Sequence, residues 1–269
     1  MTDPAANPVL AAWAGPRGGA PRFEGVTADH FEPAFETAMT AYRAEIAAIA
    51  GNPEPPTFAN TLEAMEKAGA EYRRAGALMG IYTSTLNDAA MQAVQRKLAP
   101  IQAGFRDEIF HNRALFDRID AVWKTRETSG LNAEQQRLVD VTHDRYTRQG
   151  ANLDPAPKMR LAEINQRLAA LYTSFSQNIL ADEEGQVLWL DSEADLAGLP
   201  PQMIAAAKAL AEKRGEPGKW AIANPRSSMD PFLTLSTRRD LREKALKLWA
   251  ARGDMGGEHD NNASCCCCC

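Results

Sequence analysis

Apolar residues recur along this chain at steps of three and four, and that period limits it to an array of packed helices. Phe31, Phe35, Met39, Tyr42, Ile46 and Ile49 lie on one stripe of a helix of about six turns. Thr27 stands at its start, with Asp29 and Glu32 where a carboxylate suits the positive end of the helix dipole. Gly51, Asn52 and Pro53, then Pro55 and Pro56, end it, because proline neither donates nor continues a helix.

Thr57 is placed to cap a second, longer helix whose stripe runs through Leu62, Met65, Gly69, Tyr72, Gly76 and Met79 to a break at Asn87-Asp88. Glycine in a helix interior costs about 1 kcal/mol against alanine. Two on a packing face predict a tight crossing with another backbone. Further helices are expected over 89–111, 113–127, 132–149 and 156–181, punctuated by Ser129-Gly130 and by Leu153, Asp154 and Pro155. The last shows Leu161, Ile164, Leu168, Leu171, Phe175 and Ile179 on one face. Short loops predict antiparallel neighbours.

The period then changes. Residues 186–191 form a short apolar run, read as a strand, and 219–222 form a second. Between them an Ala-rich helix spans about 201–214, and a closing helix covers about 237–252, with Leu241, Ala245, Leu248 and Trp249 inward. The expected class is mainly α: an antiparallel helical array with a small two-stranded β element. It divides into an extended segment over 1–22, a helical domain over 23–262 and an anomalous Cys-rich tail over 263–269.

Composition narrows the partners. The net charge of −5 and the isolated doublets Arg73-Arg74 and Arg238-Arg239 argue against nucleic acid. No apolar run approaches the ~18–20 residues of a membrane span, and Met1 to Gly19 lack the order of a secretory signal. A cytoplasmic protein is the expectation. All five cysteines form one run, Cys265 to Cys269, which has neither a disulfide framework nor C-x₂-C spacing and resembles an artefact of truncation or reading frame.

A search for chemistry finds none assembled. Of the four histidines, His30, His111, His143 and His259, none begins an H-E-x-x-H, which would set two imidazoles on one helix face beside a glutamate. Asp107 lies four residues before His111, and Asp140 and Asp144 flank His143. Two ligands are too few for a catalytic zinc, and surface pairs worth a few tenths of a kcal/mol are the plainer reading. His259 belongs to a polar loop. Gly218-Lys219 resembles the end of a phosphate loop, but Trp220 stands where Ser or Thr should hold magnesium. Asp182, Glu183 and Glu184 read as a solvated acidic turn between helix and strand. No catalytic, metal-binding or substrate-binding residue is assigned.

Several stretches, in order and nearly without gaps, resemble a known family. They are Asn7 to Leu10; His30-Phe31 with Pro33, Ala34 and Phe35; Ala44 to Ala50; Asn52-Pro53; and Pro56 to Thr61. Ala121 to Glu127, Gly130-Leu131 and Arg137 to Val139 follow, then Phe175 to Asn178 with Leu180, Leu196 to Leu199, and Leu241 to Glu243. Together, over about residues 7–262, they are similar to the M3 family of zinc metallopeptidases, and within it to the bacterial peptidyl-dipeptidases more than to oligopeptidase A.

The resemblance implies part of an elongated, neurolysin-like helical fold split by a deep channel. It implies a hydrolase that releases C-terminal dipeptides from short peptides, using zinc held by the two histidines of H-E-x-x-H and a further glutamate. None of those residues maps onto this sequence. The expectation is therefore an N-terminal fragment, inactive and without bound zinc by itself, whose partner is a missing C-terminal catalytic domain. Exposed apolar helix faces and poor solubility would follow. A free-standing helical scaffold or peptide-binding module without catalysis is the alternative.

Overall fold

A computed structural model of the chain describes residues 7–16, 19–21 and 23–262. The Cys-rich tail and part of the 1–22 segment lie outside the described residues. The chain divides into two compact units, residues 1–170 and 171–269, with the boundary inside one helix.

In the first unit, α1 (Phe31–Ala50) follows a short 3₁₀ turn, Ala28–His30. A wide turn over Ala59–Glu63 leads into α2 (Ala64–Lys67), then α3 (Ala70–Thr85), α4 (Ala89–Phe110), α5 (Arg113–Thr125) and α6 (Ala133–Arg148). The starts are written locally. Asp88, Asn112 and Asn132 accept from the backbone N–H groups of Met91 (2.9 Å), Leu115 (3.0 Å) and Gln135 (2.9 Å). The Gln135 side chain accepts in return from the Asn132 N–H at 3.0 Å, closing a capping box. Before α1, the Asn7 side chain accepts from the Val9 N–H and donates to the His30 carbonyl, and Val9 is buried.

Of the expected stripe of α1, Phe31, Phe35 and Met39 are buried with Leu78, Leu98 and Phe105, Ile46 and Ile49 with Leu115, Phe116 and Ile119, and Tyr42 packs half-buried against both groups. Apolar side chains of this size contribute about 1.5–3 kcal/mol each when sealed from water. α4 tolerates Pro100 in its interior, although proline removes one helical hydrogen bond.

The helix expected from Thr57 to Asn87 is broken. Thr57 does cap its start, its Oγ1 accepting from the Asn60 N–H at 3.2 Å. At Ala68-Gly69, however, the chain turns extended and then left-handed, with φ +72° at Gly69. Gly69 is therefore a hinge between α2 and α3, not a residue of a helix crossing. A Cβ there would stand 2.6 Å from the Tyr42 ring, and its N–H donates to Glu45 Oε2 at 2.6 Å. Gly76 has open space around it. The tight glycine crossing is not formed.

Helix α7 (Pro155–Gly185) carries the boundary between the units. Its expected apolar stripe is only half-buried, and Ile164 remains 39% exposed, whereas Thr173, Gln177 and Asp182 are sealed.

In the second unit, β1 (Val187–Leu190) pairs antiparallel with β2 (Trp220–Ala223), Leu188 opposite Ile222 and Leu190 opposite Trp220. This is the small ribbon expected from the sequence. α8 (Pro201–Lys213) lies between the strands in sequence, and α9 (Arg226–Leu235) and α10 (Arg239–Ala250) follow. Leu188, Leu190, Ile222, Met229, Phe232, Leu241 and Ala245 form one core. α9 has no counterpart among the elements expected from the sequence, and Pro231 sits inside it. Pro225 at its N-cap and the Arg226–Asp230 pair at 2.8 Å support it locally, and burial of Met229 and Phe232 secures it.

Candidate functional site

Every histidine and carboxylate singled out in the sequence has a place. His30 closes the turn before α1, its Nδ1 3.1 Å from the Thr27 N–H. His111 does not meet the Asp107 side chain; its Nε2 lies 3.0 Å from the Gln149 carbonyl. Asp107 is no surface residue. It is 3% exposed on the inner face of α4, where Oδ1 accepts from Asn165 Nδ2 at 2.8 Å and Oδ2 has no partner. The spacing of four was right for a helix pair, but the pair straddles the end of α4, and packing turns the carboxylate toward α7.

His143 likewise ignores its sequence neighbours. Its ring stacks on Trp123 at 4.3 Å with planes 10° apart, and its Nε2 lies 3.2 Å from Asp120 Oδ1 across the α5–α6 contact. Asp140 instead accepts from Trp123 Nε1 and pairs with Arg126, and Asp144 pairs with Arg148. Burial works against the charge on Asp120, but Lys124 and His143 outweigh it and hold this carboxyl below the usual carboxylate range. His259 is 3.4 Å from Glu258 in a loop.

The acidic turn expected at 182–184 is instead the last turn of α7. Asp182 is buried and accepts from the Gly253 N–H at 2.7 Å, and Glu183 pairs with Arg252. The missed signal was Gly253, whose φ of +75° lets its N–H reach that carboxylate. Lys219 pairs with Glu216 and Asp191, so it faces carboxylates rather than a phosphate.

Among the described residues, no three of His, Cys, Asp and Glu stand together in a way that could hold a metal ion. The described donors therefore do not fit a zinc centre of three protein ligands. A shallow groove of about 390 Å³ runs between α8, β2 and α9, walled by Met203, Leu210, Ile222 and Leu235 with Ser227 and Ser228 at one side. No ionisable side chain lines it, so it offers no acid, base or ligand. Among the described residues, no helix is long and apolar enough to cross a membrane.

Over nine-tenths of its length this helical chain is similar to dipeptidyl carboxypeptidases and, at lower identity, to oligopeptidase A, both peptidases of the M3 family. Dipeptidyl carboxypeptidase of Escherichia coli (strain K12) is 35% identical over 241 residues, 90% of this chain and 35% of that protein. Oligopeptidase A of Salmonella typhimurium is 24% identical over 260 residues, 95% of this chain and 37% of that protein. A probable cytosolic oligopeptidase A of Arabidopsis thaliana is 21% identical over 242 residues, 88% of this chain and 34% of that protein. No family model matches the chain. The chain spans about a third of the length of the curated relatives it matches.

Proposed function

We propose that this chain is the N-terminal helical part of a zinc-dependent, cytoplasmic peptidyl-dipeptidase that releases C-terminal dipeptides from short peptides. In this reading the metal and the groups that activate water belong to residues outside this sequence, and the 269 residues serve as a flank of the peptide channel. The observation that carries the reading is 35% identity over 90% of this chain against a dipeptidyl carboxypeptidase of which it spans only 35%. The histidines support it: none begins an H-E-x-x-H, and the half-buried His111 and His143 lie against the Gln149 carbonyl and Asp120. A catalytic zinc lowers the pKa of its bound water and needs an open position beside three protein ligands.

The test is direct. The purified chain should release no dipeptide from short peptides with or without added zinc, and should retain less than stoichiometric zinc after dialysis. Zinc-stimulated release by the chain alone would overturn the division of labour. Reading the genomic DNA beyond the codon of Ala263 tests the family assignment separately, since an H-E-x-x-H reading frame is expected there.

A further inference from the structure

The ribbon of the second unit leaves one edge of β2 without a strand beside it, and that edge runs along the groove between α8, β2 and α9. Successive side chains of a strand point to opposite faces, so a groove against one face would be lined by alternate residues. Ala221, Ile222 and Ala223 line this one in succession, which sets it along the backbone edge of the strand. In an antiparallel pair, alternate residues turn their N–H and C=O groups away from the partner strand. Among the described residues, no hydrogen bond reaches the backbone of Trp220–Ala223 from outside the ribbon. β2 also lacks what usually blunts a free edge, since its four residues pair in unbroken register and include no charge and no proline.

The groove restricts what can pair there. Met203 and Leu210 of α8 and Pro231 and Leu235 of α9 form its walls, and no ionisable side chain lines it. A charged side chain would lose hydration there with no counter-charge in return. A docked helix keeps its hydrogen bonds to itself and would leave the outward groups of β2 unpaired beneath it. An added strand satisfies those groups, and its alternating side chains meet the apolar walls. At about 3.3 Å per residue, β2 offers about 13 Å of edge, enough for about three or four residues of an extended chain.

We propose that this groove is a docking site for an extended peptide with uncharged side chains, which adds to the ribbon as a third strand beside β2. The hydrogen bonds go to the peptide main chain, so the site selects conformation and lack of charge more than sequence. The inference stands apart from the peptidase reading, and its failure would leave that reading untouched.

The experiment measures binding of a fluorescent, end-blocked peptide of alternating threonine and valine to the full 269-residue chain. Two N-methylated forms accompany it, each methylated at every second residue but in opposite registers. One register removes the N–H donors that face β2, and the other removes those that face away. The first should weaken binding at least about tenfold, as two main-chain bonds at about threefold or more each require, and the second should leave it within about twofold. A merely apolar contact would not tell the two registers apart. Leu235→Lys, on a wall residue that is 43% exposed, should weaken binding about fivefold, and Ala206→Trp, from an exposed position of α8 that lines the groove, should abolish it. Circular dichroism checks each variant, and if Ala206→Trp fails to fold, the two methylated peptides decide the matter. Equal affinity for the two registers, or no saturable binding up to about 1 mM peptide, would overturn the proposal. So would a dimer of the peptide-free chain that Ala206→Trp dissolves, since a second copy would then occupy the edge.

Discussion

Arg118 offers the sharpest test of how the first unit holds together. It sits on α5 with 6% exposure and ties down the proline-rich loop after α1. Its Nη1 donates to the carbonyls of Asn52 (2.8 Å) and Glu54 (3.0 Å), and its Nη2 to Asn60 Oδ1 (2.8 Å). That same Asn60 oxygen accepts from the Thr57 N–H at 2.8 Å, so one guanidinium positions the cap of the following turn. Arg118→Met keeps the aliphatic stem and removes three charge-assisted bonds, each contributing about 1.5–3 kcal/mol. Two terms reduce the loss. The Asn52 and Glu54 carbonyls lie near the surface and regain water, and Nε, now buried without a partner, is removed with its penalty of about 1–3 kcal/mol. The expected destabilisation is about 2–4 kcal/mol. Arg118→Lys should recover little of it, because an ammonium cannot span three acceptors in a fork. Urea unfolding followed by circular dichroism measures the change, and amide exchange at Thr57 and Asn60 should speed up in parallel. A melt within about 0.5 kcal/mol of wild type, with unchanged exchange at both amides, would refute the reasoning.

Three further outcomes are expected. Gly69→Ala should destabilise by about 1–3 kcal/mol through its left-handed backbone and the contact with Tyr42, and the added substitution Tyr42→Ala should remove the steric part, as a double-mutant cycle in thermal melts would show. Phe232→Ala, fully buried in the core of the second unit, should cost about 3–5 kcal/mol in the transition reported by Trp220 and Trp249 fluorescence. Asp120 has a folded pKa below its ordinary value of 3.8, so its contribution is present above that value and is lost as pH falls through the lowered one. Asp120→Asn should therefore flatten the acid limb of a stability-versus-pH profile, and an unchanged limb would exclude the Lys124–Asp120–His143 contact as its source.

The helices were legible because their signals are local. The stripe from Phe31 to Ile49 and the short apolar run that made 186–191 a strand depend on residues a few positions apart, as do the caps that the structure shows at Asp88, Asn112 and Asn132. α9 has Pro231 in its interior, where proline disfavours helix, and the burial of Met229 and Phe232 that secures it comes from strands and helices distant in sequence.

What the sequence determined alone was helical class, the positions of most helix ends, the pairing of the two strands and the kinship with M3 peptidases. Tertiary structure decided where polar and charged groups went. Asp107 turns inward to Asn165, Asp182 accepts from Gly253 some seventy residues later, and His143 chooses Asp120 over the aspartates beside it. Such choices balance desolvation against hydrogen bonds made across elements, and no local pattern encodes them. Gly69 shows the same limit: its place on a stripe suggested a helix interior, but Tyr42 and Glu45 of another helix made it a hinge.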